Sequence, residues 1–170
     1  MPPVLRALIL WLHLLAVIVW IGGLLFQVLV VFPTLSRAGQ SAAWIRLGLS
    51  LEVRFRLVMW PAVGLVLFTG LVNLLYVWHA TVMAGSSLPS TFVPILTVKL
   101  LLVLSMLALQ AVQQCMIQPR RLAIFATLAA GVRELPPAFR TLQHLALALA
   151  VALVSLAAGV VLCAVLLRGV

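Results

Sequence analysis

Three side chains able to ligate or bridge stand inside long apolar runs: His13 in the first run, Asn73 in the second and Lys99 in the third. A polar group in hydrocarbon is costly, so it marks a binding site or a bond between helices. An imidazole can hold a metal or a haem iron, an amine can pair with an acid or ligate when neutral, and a carboxamide bridges helices. Counted from the ends of their runs, His13 lies about 13 Å deep, Lys99 about 10 Å and Asn73 about 9 Å. Three polar residues from three runs therefore share a layer, and that layer is the site candidate. Each has a plainer reading beside it: His13 hydrogen-bonds to a neighbouring helix, Lys99 extends its stem to the membrane interface, and Asn73, like Gln27 and Gln110, joins helices. His79 and Met83 have the i, i+4 spacing of a soft-metal pair suited to copper, or they are interface residues. His144 reads as an interface residue. A haem held between His13 and His79 would span about 13 Å of depth, a poor match for two axial ligands.

The elements that must position these groups are long. The spacing predicts spans at about 5–33, 56–80, 91–118 and 141–168, each enough for the roughly 20 residues that cross a bilayer core. Pro33 and Pro119 are expected to end the first and third runs, and Gly85-Ser86-Ser87-Leu88-Pro89-Ser90 to connect the second and third. Backbone polar groups in lipid must be satisfied internally, so all four spans are expected to be helices. Segment 40–56, with Ala43, Trp44, Leu47 and Leu51 at helical spacing, reads as an interfacial helix or an extension of the second span. On the first helix His13, Ala16, Trp20, Gly23 and Gln27 form one stripe, with Gly22 and Gly23 allowing close approach of a helix or a flat ligand. Trp20 falls near mid-membrane and is expected to pack inward. Thr69, Asn73 and Tyr76 share a face of the second helix, and Lys99, Val103, Met106, Gln110 and Gln113 share a face of the third.

Composition agrees with this plan. Of 170 residues, 66% are hydrophobic and 8% charged, far from the quarter or so of charged residues in soluble domains. The net charge of +9 would suggest nucleic acid in a soluble chain. Here the basic residues lie between apolar runs, suited to lipid headgroups, and no nucleic-acid partner is expected. The two acids, Glu52 and Glu134, both fall in segments read as loops, so paired-carboxylate catalysis is excluded. Cys115 and Cys163 are expected at opposite ends of the bundle, too far apart for a disulfide. No Ser/His/acid set, phosphate loop or zinc spacing is present.

Basic residues set the expected orientation. Arg37, Arg46, Arg54 and Arg56 flank the first connection and Arg120, Arg121, Arg133 and Arg140 the third; the second has none, and Arg6 and Arg168 sit at the termini. Eight against two places the first and third connections in the cytoplasm and both termini outside, on the periplasmic side of a bacterial inner membrane. The expected fold is therefore an all-α integral membrane domain, a four-helix transmembrane bundle. Trp11 and Trp78 then lie near the outer interface, Trp44 and Trp60 near the inner one.

The stretch Trp11-Leu12-His13-Leu14-Leu15-Ala16-Val17-Ile18-Val19-Trp20-Ile21-Gly22-Gly23-Leu24 resembles the first span of CopD-type copper-resistance membrane proteins and of the related HemJ-type protoporphyrinogen oxidases. Val98-Lys99-Leu100-Leu101-Leu102-Val103-Leu104 is similar to their lysine-bearing third span, and Leu67-Phe68-Thr69-Gly70-Leu71-Val72-Asn73-Leu74 to the second span of CopD-like domains. The resemblance covers most of the chain as one ordered set of spans. It implies a haem b site involving His13 and Lys99. The chain departs from the HemJ pattern at Val30-Val31-Phe32-Pro33-Thr34-Leu35 and at Gln110, where that family has a histidine. The resemblance therefore implies the CopD-like scaffold rather than protoporphyrinogen oxidation.

Three functions follow as expectations. The first is a haem b redox protein near the outer leaflet, with His13, Lys99, Trp20, Gly23 and Asn73 around the cofactor and a quinone, periplasmic redox protein or partner subunit exchanging electrons. The second is copper transfer, entering at His79 and Met83 and passing His13, Met106 and Gln110, with a periplasmic copper protein as donor. The third is a structural subunit of a larger membrane complex.

Overall fold

The chain is seen here in a computed structural model that describes residues 2–37, 42–85, 89–129 and 137–167. Arg133, Glu134 and Arg168, residues 86–88 of the second connection and the side chain of Trp44 lie outside the described residues. The described residues are helical, without strands, in the order α1 (Pro3–Phe26), a π turn (Gln27–Val31), α2 (Phe32–Arg37), α3 (Ala42–Met83), α4 (Phe92–Val112), a second π turn (Gln113–Ile117), α5 (Gln118–Ala129) and α6 (Pro137–Leu166). Four stretches, Pro3–Thr34, Arg46–Met83, Phe92–Ile124 and Phe139–Leu166, are long and apolar enough to cross a membrane.

Helix α1 opens on Pro2 and Pro3, where a missing N–H costs nothing because no intrahelical acceptor awaits it. The first and third spans do not stop at their prolines. Proline lacks the N–H for an i→i−4 bond, and its ring crowds the carbonyl four residues back. For Pro33 that residue is Leu29 and for Pro119 it is Cys115; each lies inside a π turn, and the helix continues beyond the proline. The wider turn removes the clash without ending the helix. Both π turns begin at a glutamine six residues before the proline, Gln27 and Gln113. Pro61, within α3, is accommodated without such a turn. The 42-residue α3 is continuous through segment 42–56, and at 1.5 Å per residue it is about twice as long as a bilayer core is thick. Glu52 thus belongs to a helix, not to a loop.

Side-chain contacts give the topology. Gly23 of α1 meets Phe55 and Met59 of α3 while His13 meets Thr69, so these helices are antiparallel. Trp20 reaches Gln110, making α1 and α4 parallel when read with the proximity of His13 to Lys99. Leu102 packs on Gly159 while Lys99 lies near Cys163, so α4 and α6 are antiparallel. The result is an up-down-up-down bundle with Pro3 and Leu166 at one end, here the termini end. The other end carries Arg54, Arg56, Arg120, Arg121 and Arg140 and is called the basic end.

The core runs along the middle: Ala16, Trp20 and Leu24 of α1, Met59, Val63 and Val66 of α3, Met106 of α4, and Leu153 and Ala157 of α6. Nearer the basic end Phe32, Ile117, Ala146 and Ala150 form a second cluster. The stripe Ala146, Ala150, Leu153, Ala157 is fully buried, and its small side chains let α6 approach its neighbours closely. Helix α1 packs along α3 and α4 along α6, with α1 also touching α6; α3 and α4 barely touch. Side chains rather than close backbones join α3 to α4: Met59 and Val63 share the core cluster with Met106. Its outer faces expose Leu14, Ile18, Phe68, Leu71, Leu101, Leu104 and Leu162, among others. Contiguous apolar surface on this scale is foreign to a protein surrounded by water and compatible with a lipid bilayer.

Candidate functional site

The site begins with a tautomer. His13 Nδ1 lies 2.8 Å from Thr69 Oγ1. The Thr69 hydroxyl has one proton, and that proton is directed to the Leu65 carbonyl of the preceding turn at 2.5 Å. Thr69 Oγ1 is thus placed to accept from the imidazole, which also bonds to the Val66 backbone; with the ring proton on Nδ1, Nε2 would carry the lone pair. This is the arrangement in which a metal-ligating histidine is found: one nitrogen fixed by a hydrogen bond, the other bare. Thr69 is 1% exposed, and the His13 ring edge packs over Gly70 beside it, which has no side chain. A Cβ at Gly70 would stand 3.4 Å from His13 Cε1, a tight but tolerable fit.

Around His13 the termini end collects the other predicted residues. Lys99 on α4 is half-buried and within Coulombic reach of His13 and of Cys163 on α6. Asn73 is half-buried one turn beyond Thr69 on α3. Tyr76 follows on the same face, with the Arg6 guanidinium 4.7 Å from its ring centroid. His13 is thus near Thr69 and Lys99, with Asn73 one turn further along α3 and Arg6 stacked on Tyr76 beyond it.

Two residues expected at a cofactor lie a layer deeper and are already engaged. The Trp20 indole N–H donates to Gln110 Oε1 at 2.8 Å, and both residues are buried, at 2% and 3% exposure. Buried tryptophan needs a partner for its N–H, and Gln110 is that partner. Gly23 gives close approach to a helix, not to a flat ligand: a Cβ there would run into the Phe55 ring and stand 3.2 Å from Met59 Sδ. Gly22 faces away, with nothing within 4 Å.

His79 and Met83 are not brought to His13. Both are exposed, and His79 lies ten residues beyond Thr69 on α3, about 15 Å along the helix. Among the described residues no three His, Cys, Asp or Glu side chains converge on a metal position. Cys163 is buried and Cys115 exposed, and neither is in a disulfide. What the termini end offers is one half-buried imidazole and two cations, Arg6 and Lys99. Sequence reasoning placed Thr69 on the right face but missed that its hydroxyl meets the His13 ring. It also missed the polar cluster at the basic end.

Comparison with known protein families, curated proteins and solved structures gave no match.

Proposed function

We propose that this chain is a multi-pass protein of the bacterial inner membrane with a CopD-like scaffold, and that it holds a b-type haem on His13 and serves in electron transfer. The membrane location is supported by four apolar helices with hydrocarbon side chains exposed on their outer faces. The orientation follows from arginine: Arg46, Arg54, Arg56, Arg120, Arg121 and Arg140 gather at the basic end, which we place in the cytoplasm, with the termini end outside.

The observation that carries the haem reading is the hydrogen bond between His13 Nδ1 and Thr69, which with the ring proton on Nδ1 leaves Nε2 to ligate. The donor set is compatible with the group: an imidazole for iron, and Lys99 and Arg6 towards the same end of the bundle for the two carboxylates of a porphyrin. When bound, haem supplies a one-electron couple. Thr69 would hold the orientation of the His13 ring. Lys99 and Arg6 hold anionic groups at the outer rim. The Trp20–Gln110 bond closes the floor and keeps water of the basic end away from the site.

The test is the absorbance spectrum of protein purified from haem-replete cells. A Soret band in the wild type and its loss in His13→Ala are expected. A colourless wild-type preparation would end the haem reading.

A further inference from the structure

At the basic end an ion pair joins α3, which packs along α1, to α5, which follows α4: Glu52 pairs with Arg121 Nη1. Arg121 is 5% exposed. A guanidinium so deeply buried is costly unless its remaining polar atoms are also satisfied. Its Nε has no protein partner, and neither have Gln114 Oε1 and Gln118 Oε1, although all three atoms are buried. Gln118 is itself 5% exposed. The three residues line one small cleft together with Gln27, Glu52, Gln113 and Ile117. Their spacing of four and then three residues sets Gln114, Gln118 and Arg121 on one face of the chain as it leaves the second π turn for α5. Buried polar groups are nearly always satisfied, so three unpartnered atoms around one cleft call for a ligand.

Size and chemistry narrow that ligand. The cleft has room for about one water molecule, which excludes an organic group. Of the three atoms, two amide oxygens accept and the guanidinium Nε–H donates. A small metal cation would suit the amide oxygens but would stand against the charge of Arg121. A halide would suit Nε–H but would face two amide oxygens. Water answers all three at once, with two O–H groups for the glutamines and a lone pair for Nε–H.

We infer that this cleft binds one ordered water, which donates to Gln114 and Gln118, accepts from Arg121 Nε and so keeps the guanidinium turned towards Glu52. The water is a positioning element of the link between α3 and α5. The inference is independent of haem on His13 and of the orientation of the chain in a membrane.

The test is a crystal structure of the full chain grown in lipidic mesophase, at a resolution that shows ordered water. A single density peak is expected within about 3.2 Å of Gln114 Oε1, Gln118 Oε1 and Arg121 Nε. An empty cleft, or a peak at the shorter distance of a cation with Arg121 turned away, would overturn the assignment. Thermal unfolding of Gln118→Leu gives a second readout with a sign. An acceptor that has no partner in the folded protein can be removed without loss; one that holds a water leaves that water and Arg121 Nε poorly bonded when it is removed. The unfolding equilibrium constant of Gln118→Leu is therefore expected to rise about tenfold, the loss of one buried hydrogen bond. Stability equal to or above that of the wild type would overturn the assignment.

Discussion

Thr69→Val tests the tautomer argument directly. Valine keeps the shape of threonine and removes the hydroxyl, so His13 Nδ1–H loses its acceptor while the packing around Ala16, Val66 and Gly70 is retained. A buried donor left without a partner costs about 1–3 kcal/mol. His13 is half-buried, which places the cost near the lower end, about 1.4 kcal/mol or tenfold in ligand affinity. Loss of a partner behind a ligating histidine weakens metal sites by about 10–100-fold, in the same range. The Leu65 carbonyl also loses the Thr69 proton but remains within the helix. The assay is the rate and extent of haem transfer from purified protein to excess apomyoglobin, followed by the decay of the Soret band. Thr69→Val is expected to lose haem about tenfold more readily than the wild type, and Thr69→Ser to restore retention, because serine returns the hydroxyl. Wild-type retention in Thr69→Val, with His13→Ala still colourless, would show that the hydroxyl does not govern the ligand and would refute the derivation.

Gly23→Ala is expected to destabilise the bundle by about 1–3 kcal/mol, because the new Cβ displaces the Phe55 ring; thermal unfolding in detergent should show recovery in Gly23→Ala combined with Phe55→Leu and no loss in Gly22→Ala, and equal stability of all variants would contradict the packing. Fusion of a reporter active only outside the cytoplasm should give signal at the C-terminus and none when inserted between residues 130 and 136; the reverse pattern would invert the proposed orientation.

The inward stripes were legible because periodicity encodes them. Ala16 and Trp20 on α1, and Met106 and Gln110 on α4, are buried where a 3.6-residue repeat of polar and small residues placed them, while Leu24, also buried, lay outside that stripe. The ends of the helices were less legible. Pro33 and Pro119 read as terminators, since nothing local says whether a proline stops a helix or widens it. The shared glutamine six residues before each proline was a usable signal, visible only by comparing two distant segments. Glu52 read as a loop acid because arginines surround it; its partner, Arg121, lies 69 positions away. Gly23 showed that space existed beside α1 but not that Phe55 fills it. The Thr69 hydroxyl was hidden for a similar reason: a threonine in a helix commonly bonds to its own backbone, and only the tertiary fold brings an imidazole to the same oxygen.

The distribution of polar groups also bears on what can pass through the bundle. A copper route from His79 past His13 would have to continue along Met106 and Gln110. Met106 is 1% exposed and packed among Trp20, Met59, Val63 and Leu153, and Gln110 is bound to Trp20. These side chains close the middle of the bundle instead of lining a path. His13 and Gln27 are fourteen residues apart on one helix, about 21 Å, with that apolar layer between them. The one polar pair there, Trp20 and Gln110, is already bonded to itself, and stripping an ion's water would cost far more than two thioethers, Met59 and Met106, return. The bundle thus holds polar groups in two layers, one at His13 and Thr69 and one at Glu52 and Arg121, on either side of the buried cluster around Met59 and Met106.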